Sequence, residues 1–143
     1  MIYRPKYFEI YELVPKALYD QYAGREHLLW LLFDCHILEA QDTLRERYGP
    51  FVANDWWWGG VNHERGFRLF DTETGADLSQ HKFGRAIDSK PTKATVKEVR
   101  LDIIKKNIVP GLVTCVEADI SWLHIDRRLP RFDGRVQVVH RRT

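Results

Sequence analysis

The segment Ser79-Gln80-His81-Lys82-Phe83-Gly84-Arg85-Ala86-Ile87-Asp88 sets an imidazole and a carboxylate seven residues apart. A second imidazole, His124, follows in the apolar run Ser121-Trp122-Leu123-His124-Ile125-Asp126. Two histidines and one carboxylate are a common ligand set for a catalytic zinc, whose fourth position stays open for water. Such a site needs a short local pair and a distant third ligand, and this arrangement supplies both. Gly84 and Ala86 are small and read as room for the backbone to pass close to a metal. The same spacing fits a plainer reading too. In it His81 is a loop residue, Asp88 a cap and His124 a satisfied core histidine. Spacing alone leaves both open.

The wording of the two segments adds to this. Ser79-x-His81-x-x-Gly84-x-Ala86-x-Asp88, followed by Trp122-x-His124, resembles the zinc peptidases of the D-alanyl-D-alanine carboxypeptidase, lysostaphin-like and hedgehog superfamily. The likeness is to the branch that holds D-Ala-D-Ala peptidases and bacteriophage L-alanyl-D-glutamate endolysins. It spans residues 50 to 128, and its ten-residue motif is its most specific part. The resemblance implies zinc as cofactor and His81, Asp88 and His124 as its ligands. It also implies a hedgehog/DD-peptidase-like fold. Gly66-Phe67-Arg68 matches a Gly-x-Arg segment that the family carries upstream of the first metal motif. That match implies Arg68 as the group holding a substrate carbonyl or carboxylate. A planar guanidinium suits the role because its fork gives two parallel bonds to an oxygen pair.

One departure from the family matters. Many members place an acidic general base three residues before the last histidine ligand, and here that position is Ser121. Serine is a poor base. Glu117, on the preceding strand, and Asp119, in the turn, are the candidates in its place. Asp126 lies two residues after His124, so a strand puts both on one face. It reads as the partner that orients an imidazole. Ser79 and Trp122 flank the ligands and read as cleft residues. In the implied mechanism zinc lowers the pKa of a bound water to about 7 and polarises the scissile carbonyl. A carboxylate takes the water proton and returns it to the leaving amine, while Arg68 steadies the developing charge.

The elements that must position these groups follow from periodicity. Residues 25–48 read as one helix with Leu28, Leu31, Leu32, Cys35, Leu38 and Leu44 on its apolar face, stopped by Gly49-Pro50. Phe51 to Asn54 suggests a short strand, and residues 55–62 an aromatic, glycine-rich loop. Residues 71–80 are turn-like. Residues 94–107 read as a second helix, with Val96, Val99, Ile103 and Ile104 inward and Lys97, Arg100, Lys105 and Lys106 outward. Three β-like runs follow, at 112–117, 120–125 and 134–139, with a tight turn at Ala118-Asp119. Helices first and strands later make an α+β pattern: N-terminal helices on a small antiparallel sheet.

Composition sets the remaining bounds. The 143 residues carry a net charge of +2, so nothing in the balance points to nucleic acid. No repeat or linker divides the chain, so residues 1–143 read as one domain. Cys35 and Cys115 form no CxxC pair and read as buried small hydrophobes. Arg127-Arg128-x-x-Arg131 and His140-Arg141-Arg142 read as a solvated basic face and tail. Trp56-Trp57-Trp58 reads as a loop anchor, or as an aromatic wall for a glycan or peptide stem. His63 falls between that run and Arg68, in a polar loop. No apolar segment follows a basic start and none is long enough to span a bilayer.

The expectation is therefore a zinc metallopeptidase cutting a short peptide with D-amino acids in bacterial peptidoglycan. The family analogy suggests a phage lysis enzyme, made in the cytoplasm and reaching the wall by lysis, or a virion component among other phage proteins. The alternative is a non-catalytic phage structural or binding protein that keeps the peptidase fold. Ser121 is the feature that favours it.

Overall fold

The computed structural model describes residues 2–141. A five-stranded sheet brings the chain's distant polar residues together. Its strands are β1 (Phe51–Val52), β2 (Ala86–Pro91), β3 (Cys115–Ala118), β4 (Leu123–Asp126) and β5 (Gln137–His140). Their order is β1-β2-β4-β3-β5. The β1/β2, β2/β4 and β3/β4 pairs are antiparallel, and β5 pairs with β3 in parallel. The architecture is α+β, but the sheet is mixed where an antiparallel one was expected. β4 reverses the chain after β3, and residues 127–136 then carry it from β4 to the other edge of β3, so β5 arrives parallel to β3. Thr114 pins that connection at both ends, accepting from the Gln137 backbone at 2.8 Å and donating its hydroxyl to the Arg128 carbonyl at 2.7 Å.

Side-chain alternation divides the sheet into two chemically different faces. Ile87, Val116, Leu123 and Ile125 enter the apolar core with Leu13, Ile37, Leu44, Val99 and Ile103. The intervening positions are Ala86 and Asp88 on β2, His124 and Asp126 on β4, and Cys115 and Glu117 on β3. The register sets Asp88 opposite His124, and Asp126 opposite both Ala86 and Cys115. One face thus buries aliphatic side chains and the other gathers the ionisable ones.

Three α-helices are among the described residues: α1 (Lys16–Gln21), α2 (Cys35–Tyr48) and α3 (Val96–Lys106). α2 packs against β2 and α3 against β4. Thr95 caps α3 by accepting from Glu98 N, and Asn107 ends it in the left-handed region at φ 50°. Arg100 does not point outward as expected. It is half-buried and donates to the carbonyls of Ile120 and Trp122, each at 3.0 Å, which ties the β3–β4 connection to α3.

The single helix expected over residues 25–48 is broken. Glu26–Leu32 is a 3-10 segment, Phe33 is extended, and Asp34 starts α2 afresh by accepting from His36 N. An aspartate side chain competes for backbone N–H groups, which is why it caps helices rather than continuing them. The 3-10 turn has three residues rather than 3.6, so its faces differ from those read at helical spacing. Leu28 and Leu31 are exposed, and Leu29 and Trp30 are buried instead. Cys35 is half-buried at the start of α2, while Cys115 is buried as expected. Among the described residues no helix is long and apolar enough to cross a membrane.

Candidate metal centre

His81 comes from a 3-10 turn, Gln80–Phe83. Ser79 caps it, its hydroxyl accepting from the His81 backbone at 3.4 Å. Gly84 closes the turn at φ 66°, where a side chain is strained. A Cβ there would lie 1.8 Å from the Leu32 carbonyl oxygen. Gly84 therefore allows the turn to press against the 3-10 segment before α2. That corrects the expectation that it makes room near a metal. Asp88 and His124 are direct neighbours on β2 and β4.

Each imidazole is anchored at one nitrogen and offers the other to Asp88. His81 Nδ1 lies 2.8 Å from the Gly66 carbonyl, which only an N–H can satisfy. Its Nε2 stands 3.2 Å from Asp88 Oδ2. His124 Nε2 lies 2.8 Å from Asp126 Oδ2, and its Nδ1 2.7 Å from Asp88 Oδ1. One ligand atom from each of His81, Asp88 and His124 falls within 4.8 Å of the others, and all three residues are buried. With the anchored nitrogens protonated, two lone pairs face a carboxylate. That meeting is repulsive until a proton or a cation enters it. Outer hydrogen bonds of this kind fix the tautomer of metal-binding histidines. The buried triad can hold a metal ion.

The charges around it are strongly coupled. Burial opposes ionisation of Asp88, but the pull of His81 and hydrogen bonds from both imidazoles hold its carboxyl far below the usual range. Burial pulls the His124 pKa down, but bonds to Asp126 and Asp88 outweigh it and push it up to about 9. Asp126 is held low in the same way, its burial outweighed by His124 and Arg128. Arg128 does not lie on the solvated basic face that its arginine-rich run suggests. Instead its Nε donates to Asp126 at 3.0 Å and its Nη2 forms a further short contact. Arg127 also leaves that face, donating to the carbonyls of Gly111 and Leu112.

The triad opens into a cavity of about 560 Å³, whose wall includes Arg68, Ser79, Glu117, Trp122, Arg128 and Arg141. A second cavity of about 320 Å³ shares Arg68, Asp88, Trp122 and Arg141 with the first and adds His63 and Arg65. Arg68 donates Nη2 to Asp88 at 3.2 Å and Nε to the Glu64 carbonyl at 2.7 Å. Burial leads in lowering its pKa, and repulsion from Arg141 adds to this. Glu117 lies with Oε1 3.9 Å from His124 Nε2. Asp119, the other candidate base, is turned away. It occupies the exposed turn after β3 at φ 60° and pairs with His140. It does not line either cavity.

Trp56–Trp58 form a 3-10 turn away from both cavities. Trp57 stacks on Tyr11 at 4.2 Å, and Trp56 donates to the Val14 carbonyl at 2.9 Å. They anchor the loop. Sequence reasoning misses the Gly66 carbonyl that sets the His81 tautomer, because Gly66-Phe67-Arg68 signals only through its arginine. A Cβ at Gly66 would lie 2.1 Å from the Leu13 carbonyl, and Phe67 N donates to that carbonyl at 2.8 Å. No family model matches the chain, and no curated protein or solved structure matches it either, so the likeness to zinc peptidases rests on the motif residues themselves.

Proposed function

We propose that this chain is a zinc-dependent peptidase that hydrolyses a short, D-amino-acid-containing peptide of bacterial peptidoglycan, in phage-associated cell-wall lysis. The observation that carries the reading is the convergence of His81, Asp88 and His124, the motif positions of the resemblance, at one buried point on a cavity wall. Two imidazole nitrogens and a carboxylate oxygen are a donor set that suits zinc. Held by them, zinc would lower the pKa of a bound water to about 7 and polarise a carbonyl.

The chain's own residues then divide the work. Gly66 and Asp126 hold the two imidazoles by their far nitrogens. Glu117 lies on the cavity wall beside His124 and acts as the general base, taking a proton from the attacking water and returning it to the leaving amine. Arg68 spends Nε and Nη2 on Glu64 and Asp88 and keeps Nη1 for the substrate carbonyl. Gly75 leaves that edge open, since a Cβ there would lie 2.7 Å from Nη1.

The test is zinc content by elemental analysis, followed by release of new amino groups from purified peptidoglycan. One equivalent of zinc, lost in His81→Ala, and new amino groups from at least one wall chemistry are expected. Zinc-loaded protein that releases none from several wall chemistries refutes the peptidase. In that event one retained equivalent of zinc favours the second reading, a phage structural or binding protein. Ser121 at the usual base position is the observation behind that reading.

A further inference from the structure

Three guanidinium groups line the larger cavity, and they differ in what they already hold. Arg68 is committed to Asp88 and the Glu64 carbonyl. Arg128 is committed to Asp126 through its backbone N–H and its fork. Arg141 has no carboxylate partner among the described residues. Its guanidinium lies over the Trp122 ring, 5.1 Å from the centroid. It is also near enough to Arg68 for the two like charges to repel.

The fold puts it there by a specific route. β5 runs parallel to β3 and sets His140 opposite Ala118. His140 pairs with Asp119 in the turn that follows β3. The next residue then falls beside Trp122, at the far end of that turn. A cation–π contact with an aromatic face orients a guanidinium while leaving N–H groups available. Arg141 and Trp122 both line both cavities, so the pair stands where the two meet, beside Asp88. A free fork next to a second like charge is a place that an anion completes.

We propose that Arg141, lying over the Trp122 ring at the junction of the two cavities, is a specificity residue that captures a free carboxylate of the substrate beside the metal triad. The inference rests on the peptidase reading for the nature of the substrate. It gives Arg141, the residue after β5, a role in choosing between acidic and amidated peptides, which differ by this one group. Arg141 is exposed, so its replacement leaves the fold unchanged.

The experiment compares a peptidoglycan stem pentapeptide bearing free carboxylates with the same peptide fully amidated. Binding to the full-length protein is measured by calorimetry, for wild type, Arg141→Gln and Arg141→Lys. Wild type should prefer the free acid by roughly tenfold, as for a charge-assisted fork contact that is partly exposed. Arg141→Gln should lose the preference, and Arg141→Lys should regain part of it. The preference should also shrink as salt rises. Equal binding of the two peptides, no measurable binding, or an unchanged preference in Arg141→Gln overturns the proposal. Hydrolysis is followed in the same samples. Preference without cleavage removes the peptidase reading and keeps Arg141, and cleavage without preference does the reverse.

Discussion

Replacing Asp126 by asparagine tests how the centre is held without touching a ligand. Asp126 is fully buried. One of its oxygens faces His124 Nε2 at 2.8 Å, and both face Arg128 donors. Asparagine keeps the shape but trades one oxygen for an NH2 group. If that group turns to His124, it also meets Arg128 Nε, which donates to the same position; Nε2 must accept, and the ring proton moves to Nδ1, the nitrogen facing Asp88. If it turns the other way, it meets the Arg128 donors. Either choice leaves two donors in contact and removes the charge that raises the basicity of His124. Loss of such an outer partner weakens metal binding by about 10- to 100-fold, or about 1.4–2.7 kcal/mol. The fold should pay less than a fully buried broken pair would, because Arg128 is partly exposed; roughly 1–3 kcal/mol is expected. The assay is zinc competition against a chromogenic chelator near neutral pH, with circular dichroism to confirm folding. Arg128→Gln is the control, since it leaves the carboxylate on His124, and its affinity should fall by less than Asp126→Asn. A folded Asp126→Asn protein that binds zinc as tightly as wild type refutes the reasoning. So does an equal loss in Arg128→Gln.

Three further outcomes follow from the same geometry. In chelator, the metal-free protein should lose stability as pH rises from about 6.5 to about 9. The folded His124 pKa lies near 9 against an ordinary 6.5, so its contribution is full below 6.5 and lost as pH passes 9. The decline should approach about 3 kcal/mol, at no more than about 1.4 per pH unit; a flat urea-denaturation profile over that window would remove the coupling. Glu117→Gln should keep zinc and lower kcat by about 10²- to 10⁴-fold on any peptide the wild type cleaves. Unchanged kcat would exclude Glu117 as the base. Gly84→Ala should cost roughly 3–5 kcal/mol, from a Cβ that would sit 1.8 Å from the Leu32 oxygen at φ 66°. A loss under about 1 kcal/mol would mean that the turn and the 3-10 segment separate easily.

What the sequence discloses and what it hides follow from one property of the sheet. Helix α3 is legible because its apolar residues repeat at helical spacing. Strand β2 is not, although it carries Asp88. Its site-face positions are Ala86, Asp88 and Lys90, and its core-face ones include Ser89, which accepts from buried Gln41 at 3.2 Å. A strand whose site face starts with an alanine and whose core face includes a serine shows little of the alternation by which strands are found. The broken first helix misleads for the opposite reason. Leu28, Leu31 and Leu32 supply an apolar pattern, but Asp34 at the break supplies a stronger local signal as a cap.

The same property explains why the site is readable where the fold around it is not. Asp88 and His124 are 36 residues apart in sequence and adjacent in register. His124 and Asp126 share a face because they are two apart on one strand. The spacing His-x-Asp is therefore a statement about a strand face, legible without knowing the sheet order. Arg128 extends the same alternation by two more residues, past the end of β4, and still reaches Asp126. Read as part of an arginine-rich run it looks like a solvated face. Read by alternation from His124 it falls on the site side. Arg141 has no such local signature. Its place beside Trp122 depends on β5 lying parallel to β3 and on the His140–Asp119 pair, and both are long-range facts. Residues set by strand period are open to sequence reasoning. Residues set by which strands are neighbours are not, and here that second group includes the one guanidinium in the cavity not committed to a carboxylate among the described residues.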